Sequence, residues 1–266
     1  MAKVATVSPE PADASAVPLE QPRAQPASMM LPPDIDAVVF DVFGTLVDWR
    51  GTIVREAQAV GEAHGVKADW ETFTQTWHSE GYQGGMAAVR DGRLPWTSVA
   101  DLHLRGLQDL LPRFGLQDLS DADVRQLARV WRRLDPWPDV SAGMVRLKAR
   151  FLVAPLSNGD FDMLIDLARH ASLPWDAIFA AELFGQYKPR PEPYQGAARL
   201  LRLAPERVML VASHSRDLFA AQSQGLRTAF VHRPDEFGPG HPPDSPDPSF
   251  DVVVNDLQEL ADKLGA

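Results

Sequence analysis

The stretch AVVFDVFGTL, residues 37–46, decides how the rest of this sequence is understood. Four apolar residues, two of them β-branched, run directly into an acid, which is typical of a short strand buried on both faces. Asp41 then stands at the carboxyl end of that strand, the edge of an open α/β sheet where ligands bind. Gly44 permits a tight turn after it, and Thr45 places a hydroxyl near the acid. The stretch therefore predicts either a ligand site or, more plainly, a strand that ends in a turn-forming aspartate.

The remainder of the chain divides into a helical part and a part in which strands and helices alternate. Apolar side chains recur at steps of three and four residues between positions 50 and 136, and they predict helices over residues 52–64, 69–80, 97–112 and 121–134. From residue 141 onward, short apolar runs alternate with helical patterns, with predicted strands at 151–156, 178–180, 208–211, 228–231 and 251–254. Such alternation indicates a parallel sheet covered by helices on both faces.

These patterns predict an α/β protein with one inserted part. Residues 34–49 and 137–266 are expected to form a Rossmann-like, doubly wound parallel-sheet core, and residues 50–136 an α-helical cap domain inserted into it. A helical lid above the end of the first strand would exclude water from a site there. Residues 1–33 are rich in Pro, Ala and Ser and lack periodicity, so we expect a disordered N-terminal extension.

The composition argues against several classes of function. The chain has 266 residues, a net charge of −10 and no cysteine. The negative charge argues against binding to nucleic acid or to an anionic membrane, and no apolar run is long enough to cross a bilayer. Disulfides and cysteine-based metal sites are excluded, which fits a cytoplasmic enzyme. An anion site would therefore have to be built locally.

Three later segments supply the parts that a nucleophilic aspartate needs, and they are residues 155–159 (PLSNG), 187–191 (YKPRP) and 211–217 (VASHSRD). Lys188, on an irregular segment, would keep the Asp41 carboxylate ionised as its counter-charge. Ser157 and Asn158 would offer hydroxyl, amide and backbone donors to an anion at a strand-to-helix corner. Asp217 would orient Lys188 or a hydrolytic water. Each residue also has an ordinary explanation, because loop lysines are mostly exposed and Ser, Asn and Asp are common N-caps.

The order and character of these segments resemble the haloacid dehalogenase superfamily, and most closely its type II (L-2-haloacid) dehalogenase branch. The resemblance extends from about residue 34 to the C-terminus. Phosphatases of that superfamily carry a second aspartate two positions after the nucleophile, where this chain has Phe43, and an acid in the fourth motif, where it has Ser213. Without those acids a magnesium ion has few hard ligands and a leaving alkoxide has no proton donor, whereas halide leaves unprotonated. We therefore expect no metal and no organic cofactor.

The resemblance implies a two-step hydrolysis of short 2-haloacids, such as haloacetates, to 2-hydroxy acids. Asp41 would attack the halogen-bearing carbon with inversion, halide would leave, and water would then hydrolyse the aspartyl ester. The same match implies a site lined by Thr45, Ser157, Lys188, Tyr194, His214 and Asp217. It also implies halide or substrate contacts from Asn158, Phe43, Trp77 and His78. Because related enzymes are often homodimers, a homodimer is expected here.

Two departures from the family pattern bear on the substrate. The family usually carries a cap arginine after a tryptophan, but here Trp77 is followed by His78, a partly charged imidazole that would hold halide more weakly. His214 stands where better-known members have an asparagine. One hypothesis is that histidine donors in a compact site favour fluoride, which is small and hydrogen-bonds strongly, and so fluoroacetate as a substrate. The other is that the same substitutions mean weak activity or a different substrate. Two alternatives stay open: a Mg-dependent phosphatase of the same superfamily, and a non-catalytic member that binds a small carboxylate or a protein.

Overall fold

The computed structural model describes Met1 and residues 35–266 of the chain. The disordered extension predicted for residues 1–33 lies, apart from Met1, outside the described residues. The strands of the described part are β1 (Ala37–Phe40), β2 (Val47–Asp48), β3 (Asp135–Pro136), β4 (Leu152–Ser157), β5 (Phe179–Ala180), β6 (Val208–Ala212), β7 (Arg227–Val231) and β8 (Val252–Val254). Its α-helices are α1 (Trp49–Ala63), α2 (Trp70–Thr76), α3 (Gly85–Arg90), α4 (Val99–Leu110), α5 (Asp121–Ala128), α6 (Val140–Lys148), α7 (Phe161–Ala171), α8 (Pro191–Leu201), α9 (Ser215–Ser223) and α10 (Leu257–Leu264).

A parallel sheet with the strand order β5-β4-β1-β6-β7-β8 forms the centre of the described part. β1 lies between β4 and β6, and its four residues are fully buried, as a continuous apolar run requires. Val38 and Phe40 pack in one apolar cluster, and Ala37 and Val39 pack in another, so each face of the sheet carries its own packed layer. The predicted α/β fold with a doubly wound parallel sheet is therefore confirmed. The carboxyl ends of β1, β4 and β6 meet at one edge, where the order of the strands reverses.

A helical insertion, residues 49–134, leaves the sheet after β2 and returns at β3. These two strands pair antiparallel, Val47 with Pro136 and Asp48 with Asp135, and so bring the two ends of the insertion side by side. The sequence did not predict this ribbon, because two residues per strand are too few to show a periodicity. The cap boundaries at residues 50 and 136 stay a prediction. No helix among residues 35–266 is long and apolar enough to cross a bilayer.

The second predicted helix, over residues 69–80, is in fact two segments. α2 ends at Thr76, and the chain continues through Trp77–Gly84 as a wider π-helical stretch before α3 begins. Gly81 of this stretch crosses Gly106 of α4 so closely that a Cβ on Gly106 would lie 2.4 Å from the Gly81 Cα. Side chains larger than hydrogen would therefore separate the two segments. π-Helical turns occur frequently at functional sites, and this one faces the carboxyl edge of the sheet.

Hydrogen bonds away from the ribbon also hold the insertion against the sheet. The Asp160 carboxylate, just before α7, accepts from the backbone N–H groups of Val99 and Ala100 at 2.9 and 2.7 Å, at the first turn of α4. Gln75 Nε2 donates to the carbonyl oxygen of Phe237 at 2.9 Å. The insertion is thus fastened to the rest of the chain at its two ends and at its rim.

Candidate active site

Asp41 lies directly after β1, at the carboxyl edge of the sheet, and only 7% of it is exposed. Its Oδ1 accepts a hydrogen bond from Lys188 Nζ at 2.9 Å. Its Oδ2 accepts one from Thr45 Oγ1 at 2.8 Å and lies 3.1 Å from His214 Nδ1. Gly44, at a φ of +85°, turns the chain back so that the Thr45 hydroxyl reaches the carboxylate. Three side-chain partners therefore hold this carboxylate in a buried position.

The Lys188 ammonium lies between two buried carboxylates. Its Nζ is 2.9 Å from Asp41 Oδ1 and 2.5 Å from Asp217 Oδ2. The Tyr194 hydroxyl donates to the other oxygen of Asp217. The backbone N–H of Lys188 donates to Asn158 Oδ1 at 2.8 Å, which fixes the irregular segment that carries the lysine. The structure thus brings these predicted site residues into one hydrogen-bonded row.

In this hydrogen-bonded row, burial and the neighbouring charges shift the pKa values of Asp41 and Lys188 in opposite directions. Burial alone would raise the pKa of Asp41, but the Lys188 ammonium and the His214 hydrogen bond outweigh it and hold that pKa well below its usual range. Burial would lower the pKa of Lys188, but Asp217 and Asp41 outweigh burial and raise it. Burial raises the pKa of Asp217 despite the Lys188 charge. Asp41 is therefore the more firmly ionised of the two carboxylates, as a nucleophile must be.

A second network, which the sequence did not indicate, lies beside the nucleophile. His214 follows β6, and its Nε2 lies 2.9 Å from Oε1 of Glu236, in the loop after β7. Glu236 is buried and also accepts from Trp49 Nε1 at 3.3 Å and from Ser213 Oγ at 3.2 Å. The backbone N–H of Ser213 donates to Thr45 Oγ1 at 3.0 Å. This network ties the loop after β7 to the turn that carries the nucleophile.

A cavity of about 310 Å³ opens onto the Asp41 carboxylate. The polar groups at the edge of the sheet form its floor, and rings of the helical insertion form its roof. Phe43 meets Tyr82 and Trp131 edge-on, with ring centroids 5.8 Å apart in both pairs. Within the described part of the chain, no cluster of three or more His, Cys, Asp or Glu side chains is arranged to hold a metal ion. The cavity can therefore hold a small molecule with an apolar body against its roof.

His78 lines this cavity as a neutral ring. It stacks on Trp49, with centroids 4.0 Å apart and planes at 14°. Burial, and then repulsion from His214, lowers the pKa of His78 to about 3. The prediction of a partly charged imidazole at position 78 is therefore wrong, because burial in the cavity wall removes water from the ring and favours its neutral form. A neutral imidazole still offers one N–H donor to a bound molecule.

The chain matches a family model over residues 35–225, and that model describes haloacid dehalogenase-like hydrolases. The chain is also 30% identical over 227 residues to (S)-2-haloacid dehalogenase 4A of Burkholderia cepacia, which covers 84% of this chain and 92% of that protein. The chain belongs to the haloacid dehalogenase-like hydrolase family.

Solved structures refine this membership. This chain is 43% identical to an L-2-haloacid dehalogenase of known structure, with a TM-score of 0.81, and the match covers 86% of this chain and 99% of the dehalogenase chain. It is 37% identical to a defluorinating L-2-haloacid dehalogenase of known structure, with a TM-score of 0.84, and this match covers 87% of this chain and 96% of the defluorinating enzyme's chain. This haloacid dehalogenase-like hydrolase therefore falls within the L-2-haloacid dehalogenase branch, as the resemblance implied.

The predicted site residues of this haloacid dehalogenase-like hydrolase take three kinds of place. Those that line the cavity are Asp41, Phe43, His78, Asn158, Lys188, His214 and Asp217. Thr45, Ser157 and Tyr194 are buried behind them; the Ser157 Oγ accepts from the backbone N–H of Gly159 at 3.1 Å. Trp77 belongs to neither group, because it is fully buried inside the insertion and donates from Nε1 to the carbonyl oxygen of His103 at 2.9 Å. The structure thus places Trp77 in the packing of the roof and away from the predicted substrate contact.

Two arginines at the cavity were not predicted. Arg90, at the end of α3, and Arg216, on α9, both line it. Burial, and then the charge of Arg216, lowers the pKa of Arg90. Neither guanidinium has a carboxylate within 4.0 Å among the residues that the structure describes. Two guanidinium groups that line one cavity with no carboxylate at ion-pair distance form a place for an anion.

The missed residues carried weak signals in the sequence. Glu236, Phe237 and Asp244 all belong to residues 233–249, a Pro-rich stretch without periodicity that predicts a loop and contains no recognisable motif. Loops longer than about 12–15 residues in compact domains are usually functional, and this one follows a strand at the carboxyl edge. Arg90 lies soon after the glycine-rich run at residues 81–85, where a helix predicted to end at residue 80 continues instead.

Proposed function

We propose that this chain hydrolyses the carbon–halide bond of short 2-haloacids to give 2-hydroxy acids, through an ester on Asp41. The observation that carries the proposal is a buried, ionised carboxylate, 2.9 Å from the Lys188 ammonium, that faces a small cavity with an aromatic roof. The similarity to (S)-2-haloacid dehalogenases makes the chain a hydrolase that acts on carbon–halide bonds. The substrate is a small-molecule haloacid.

In the first step, Asp41 attacks the halogen-bearing carbon from the side opposite the halogen. A carboxylate oxygen forms the new C–O bond, and the C–halide electron pair departs with the halide. The low pKa of Asp41 supports this role, because the carboxylate stays ionised without relying on solvent. The halide requires no proton, which agrees with Phe43 standing next to the nucleophile in place of an acid.

In the second step, water attacks the carbonyl carbon of the aspartyl ester and releases the 2-hydroxy acid. Asp217 takes one proton from the attacking water and returns it to the departing alkoxide oxygen of the 2-hydroxy acid, and the second proton passes to solvent as the Asp41 carboxylate is restored. The raised pKa of Asp217 supports this assignment, because burial makes its protonated form accessible. Lys188 and Tyr194 hold the two Asp217 oxygens, so its orientation is fixed during the transfer.

The cavity supports a short, anionic substrate. Its volume of about 310 Å³ suits a molecule of few heavy atoms, and Arg90 and Arg216 provide positive charge for the substrate carboxylate. We assign contact with the departing halide to His78 and Asn158, which line the cavity and carry N–H donors. We include fluoroacetate among the substrates, since fluoride is the smallest halide ion and accepts the strongest hydrogen bonds from such neutral donors. The 37% identity to a defluorinating L-2-haloacid dehalogenase supports the same substrate.

A panel of fluoroacetate, chloroacetate and bromoacetate, with halide release measured directly, tests the proposal. The expected result is stoichiometric halide and glycolate, unchanged by a chelator. p-Nitrophenyl phosphate with magnesium serves as the parallel assay for the phosphatase alternative. Phosphate release that depends on magnesium, with no halide from any haloacetate, would overturn the proposal.

A further inference from the structure

The two oxygens of Asp41 have unequal sets of partners. Oδ1 accepts one hydrogen bond, from Lys188 Nζ. Oδ2 meets two donors, the Thr45 hydroxyl at 2.8 Å and His214 Nδ1 at 3.1 Å. A carboxylate oxygen has two lone pairs, so Oδ2 is fully occupied while Oδ1 keeps one lone pair for bond formation. The geometry therefore selects Oδ1 as the attacking atom and leaves Oδ2 as the carbonyl oxygen of the ester.

The His214 ring lies between two carboxylates. Nδ1 faces Asp41 Oδ2 at 3.1 Å, and Nε2 faces Glu236 Oε1 at 2.9 Å. A neutral ring would turn a lone pair toward one of these acceptors, so both contacts are hydrogen bonds only when both nitrogens carry protons. Burial would lower the pKa of His214, but Glu236 and Asp41 outweigh it and raise that pKa well above its usual value.

Glu236 is itself held firmly. It is buried, and it accepts from Trp49 Nε1 and from Ser213 Oγ in addition to the His214 ring. It passes so close to Gly44 that a Cβ on Gly44 would lie 2.0 Å from its Oε1. The turn after the nucleophile therefore needs glycine both for its positive φ and for the space that Glu236 occupies.

Building on the function proposed above, we propose that His214 is a catalytic residue of ester hydrolysis and that Glu236 is its positioning residue. When water attacks the ester, negative charge develops on Oδ2, and the Nδ1–H of the imidazolium and the Thr45 hydroxyl receive it as an oxyanion hole. The oxyanion then collapses and the bond between Cγ and Oδ1 of Asp41 breaks. Oδ1 leaves on the substrate carbon and, once protonated, is the hydroxyl oxygen of the 2-hydroxy acid, while the water oxygen takes its place in the Asp41 carboxylate.

Glu236 matters most in the ester state. Esterification removes the negative charge of Asp41, so without Glu236 the imidazolium would stand buried beside Lys188 with no adjacent counter-charge. Such a ring loses its proton, and its Nδ1 can no longer be relied on as a donor. Glu236 keeps the ring charged through the step that needs it. The titratable and charged groups that share the cavity or its wall with His214 are Asp41, His78, Tyr82, Arg90, Lys188, Arg216, Asp217, Glu236 and Asp244.

The kinetic test uses the isosteric variant Glu236→Gln, with Glu206→Gln as its control. Glu206 is exposed, before the amino end of β6 and so at the opposite edge of the sheet. Mixed rapidly with chloroacetate, Glu236→Gln should release about one equivalent of chloride and then turn over about 100-fold more slowly than wild type. Intact mass should show the accumulated ester. Its kcat should fall as the pH rises from 6 to 8, while wild type and Glu206→Gln stay flat. A Glu236→Gln enzyme with wild-type kcat and a flat profile would refute the proposal.

A spectroscopic test needs no turnover. Asp41→Asn mimics the neutral ester, and nitrogen NMR of the His214 ring reports its charge at pH 7.5. The ring should be an imidazolium in Asp41→Asn and neutral in Asp41→Asn/Glu236→Gln. A neutral His214 in Asp41→Asn alone would overturn the proposal, even if Glu236→Gln failed to fold. If wild type releases no halide from any haloacid, the proposed function fails, and this arm still decides whether Glu236 controls the charge of His214.

Discussion

The floor and the roof of the cavity differ in whether their buried polar groups have hydrogen-bond partners. On the floor, at the ends of β1, β4 and β6, Asp41, Lys188 and Asp217 all have hydrogen-bond partners. In the roof, both ring nitrogens of the buried His103 and Nε1 of Trp131 lack partners among the described residues. A buried polar atom without a partner costs about 1–3 kcal/mol, so the insertion tolerates a penalty that the floor avoids.

This difference assigns separate tasks to the two regions. The floor fixes charges before the substrate arrives, which is how an enzyme stabilises charge that develops during reaction. The roof contributes the rings of His78 and Tyr82 to the cavity, with His103 and Trp131 stacked at 4.0 Å and 11° in the packing behind them, and such apolar surface excludes water from the floor. Substitutions in the floor should therefore change the rate of reaction, and substitutions in the roof should change the choice of substrate.

The largest effect is expected from Asp41→Asn, which removes the nucleophile from the floor while keeping its shape. Halide release from chloroacetate should fall by about 10⁴-fold or more, because an amide oxygen does not displace halide. Direct halide detection checks this. The control is Asp247→Asn, a partly exposed acid that does not line the cavity and whose carboxylate accepts from the Ser249 N–H. Unchanged release by Asp41→Asn would show that the floor does not carry the chemistry.

Lys188→Met should cost about 10³-fold in kcat/KM, because it leaves two buried carboxylates without their shared cation. The variant should also lose about 3–5 kcal/mol in its free energy of unfolding. In wild type the folded-state pKa of Asp41 lies below its unfolded-state pKa. The ionised carboxylate therefore stabilises the fold at pH values above the unfolded-state pKa, and this stabilisation is lost as the pH falls toward the folded-state pKa. Without the ammonium, burial raises that pKa.

The acid limb of the Lys188→Met rate profile should therefore move to higher pH than in wild type. Rate profiles between pH 4 and 9 measure this shift, and urea titration measures the loss of stability. Lys67→Met, at an exposed position, is the control. An acid limb that stays in place would mean that Lys188 does not set the ionisation of Asp41.

Arg90 lies where the roof meets the cavity mouth, and Arg90→Gln should act on binding. KM for chloroacetate should rise about tenfold, with kcat little changed, because one charge-assisted contact to the substrate carboxylate is lost. Increasing salt should raise KM in wild type more than in the variant. Arg113→Gln, on the exposed surface of the insertion, is the matched control. A fall in kcat without a change in KM would show that Arg90 contributes to the chemical step and not to substrate binding.

The smallest effect should come from the roof itself. His78→Phe keeps a ring against Trp49 but removes the N–H, so the rate with fluoroacetate relative to chloroacetate should fall about fivefold. His103→Phe is the matched control: it keeps the stack on Trp131 and removes two unpartnered nitrogens, so stability should be equal or higher. Because the pKa of His78 is about 3, its loss should remove no inflection between pH 5 and 8. An unchanged ratio would exclude His78 from halide selection.

The sequence predicted the floor better than the roof, for physical reasons. Residues 37–46 carry their own explanation, since a buried strand, an acid and a glycine turn follow from neighbouring residues. Glu236 does not, because its role depends on the loop after β7 folding across the sheet edge to meet His214, a contact without local periodicity. The charge of His78 could not be predicted from neighbouring residues either, since it depends on how far the surrounding rings exclude water from the imidazole.

Helical spacing likewise revealed the helices of the insertion but not their arrangement. Trp77 and His78 are adjacent in sequence, yet the π-helical turn directs His78 to the cavity while Trp77 is buried in the packing. A regular helical pattern gives no warning of such a widening. The contact between Gly81 and Gly106 fixes the turn, and it joins segments that the sequence keeps well apart.

The β2–β3 ribbon gives the insertion a single narrow pivot. Both chain crossings run through Val47–Asp48 and Asp135–Pro136, so any movement of the helices as one body would bend the chain at this ribbon. Away from the pivot, the Asp160 carboxylate and the Gln75 amide act as latches that a swing must release. A gating motion about this pivot would also have to break the hydrogen bonds from Tyr187 to the Thr97 carbonyl, from Arg190 to the Arg90 carbonyl and from Trp49 to Glu236, so admission of substrate by that route would cost all of these contacts together.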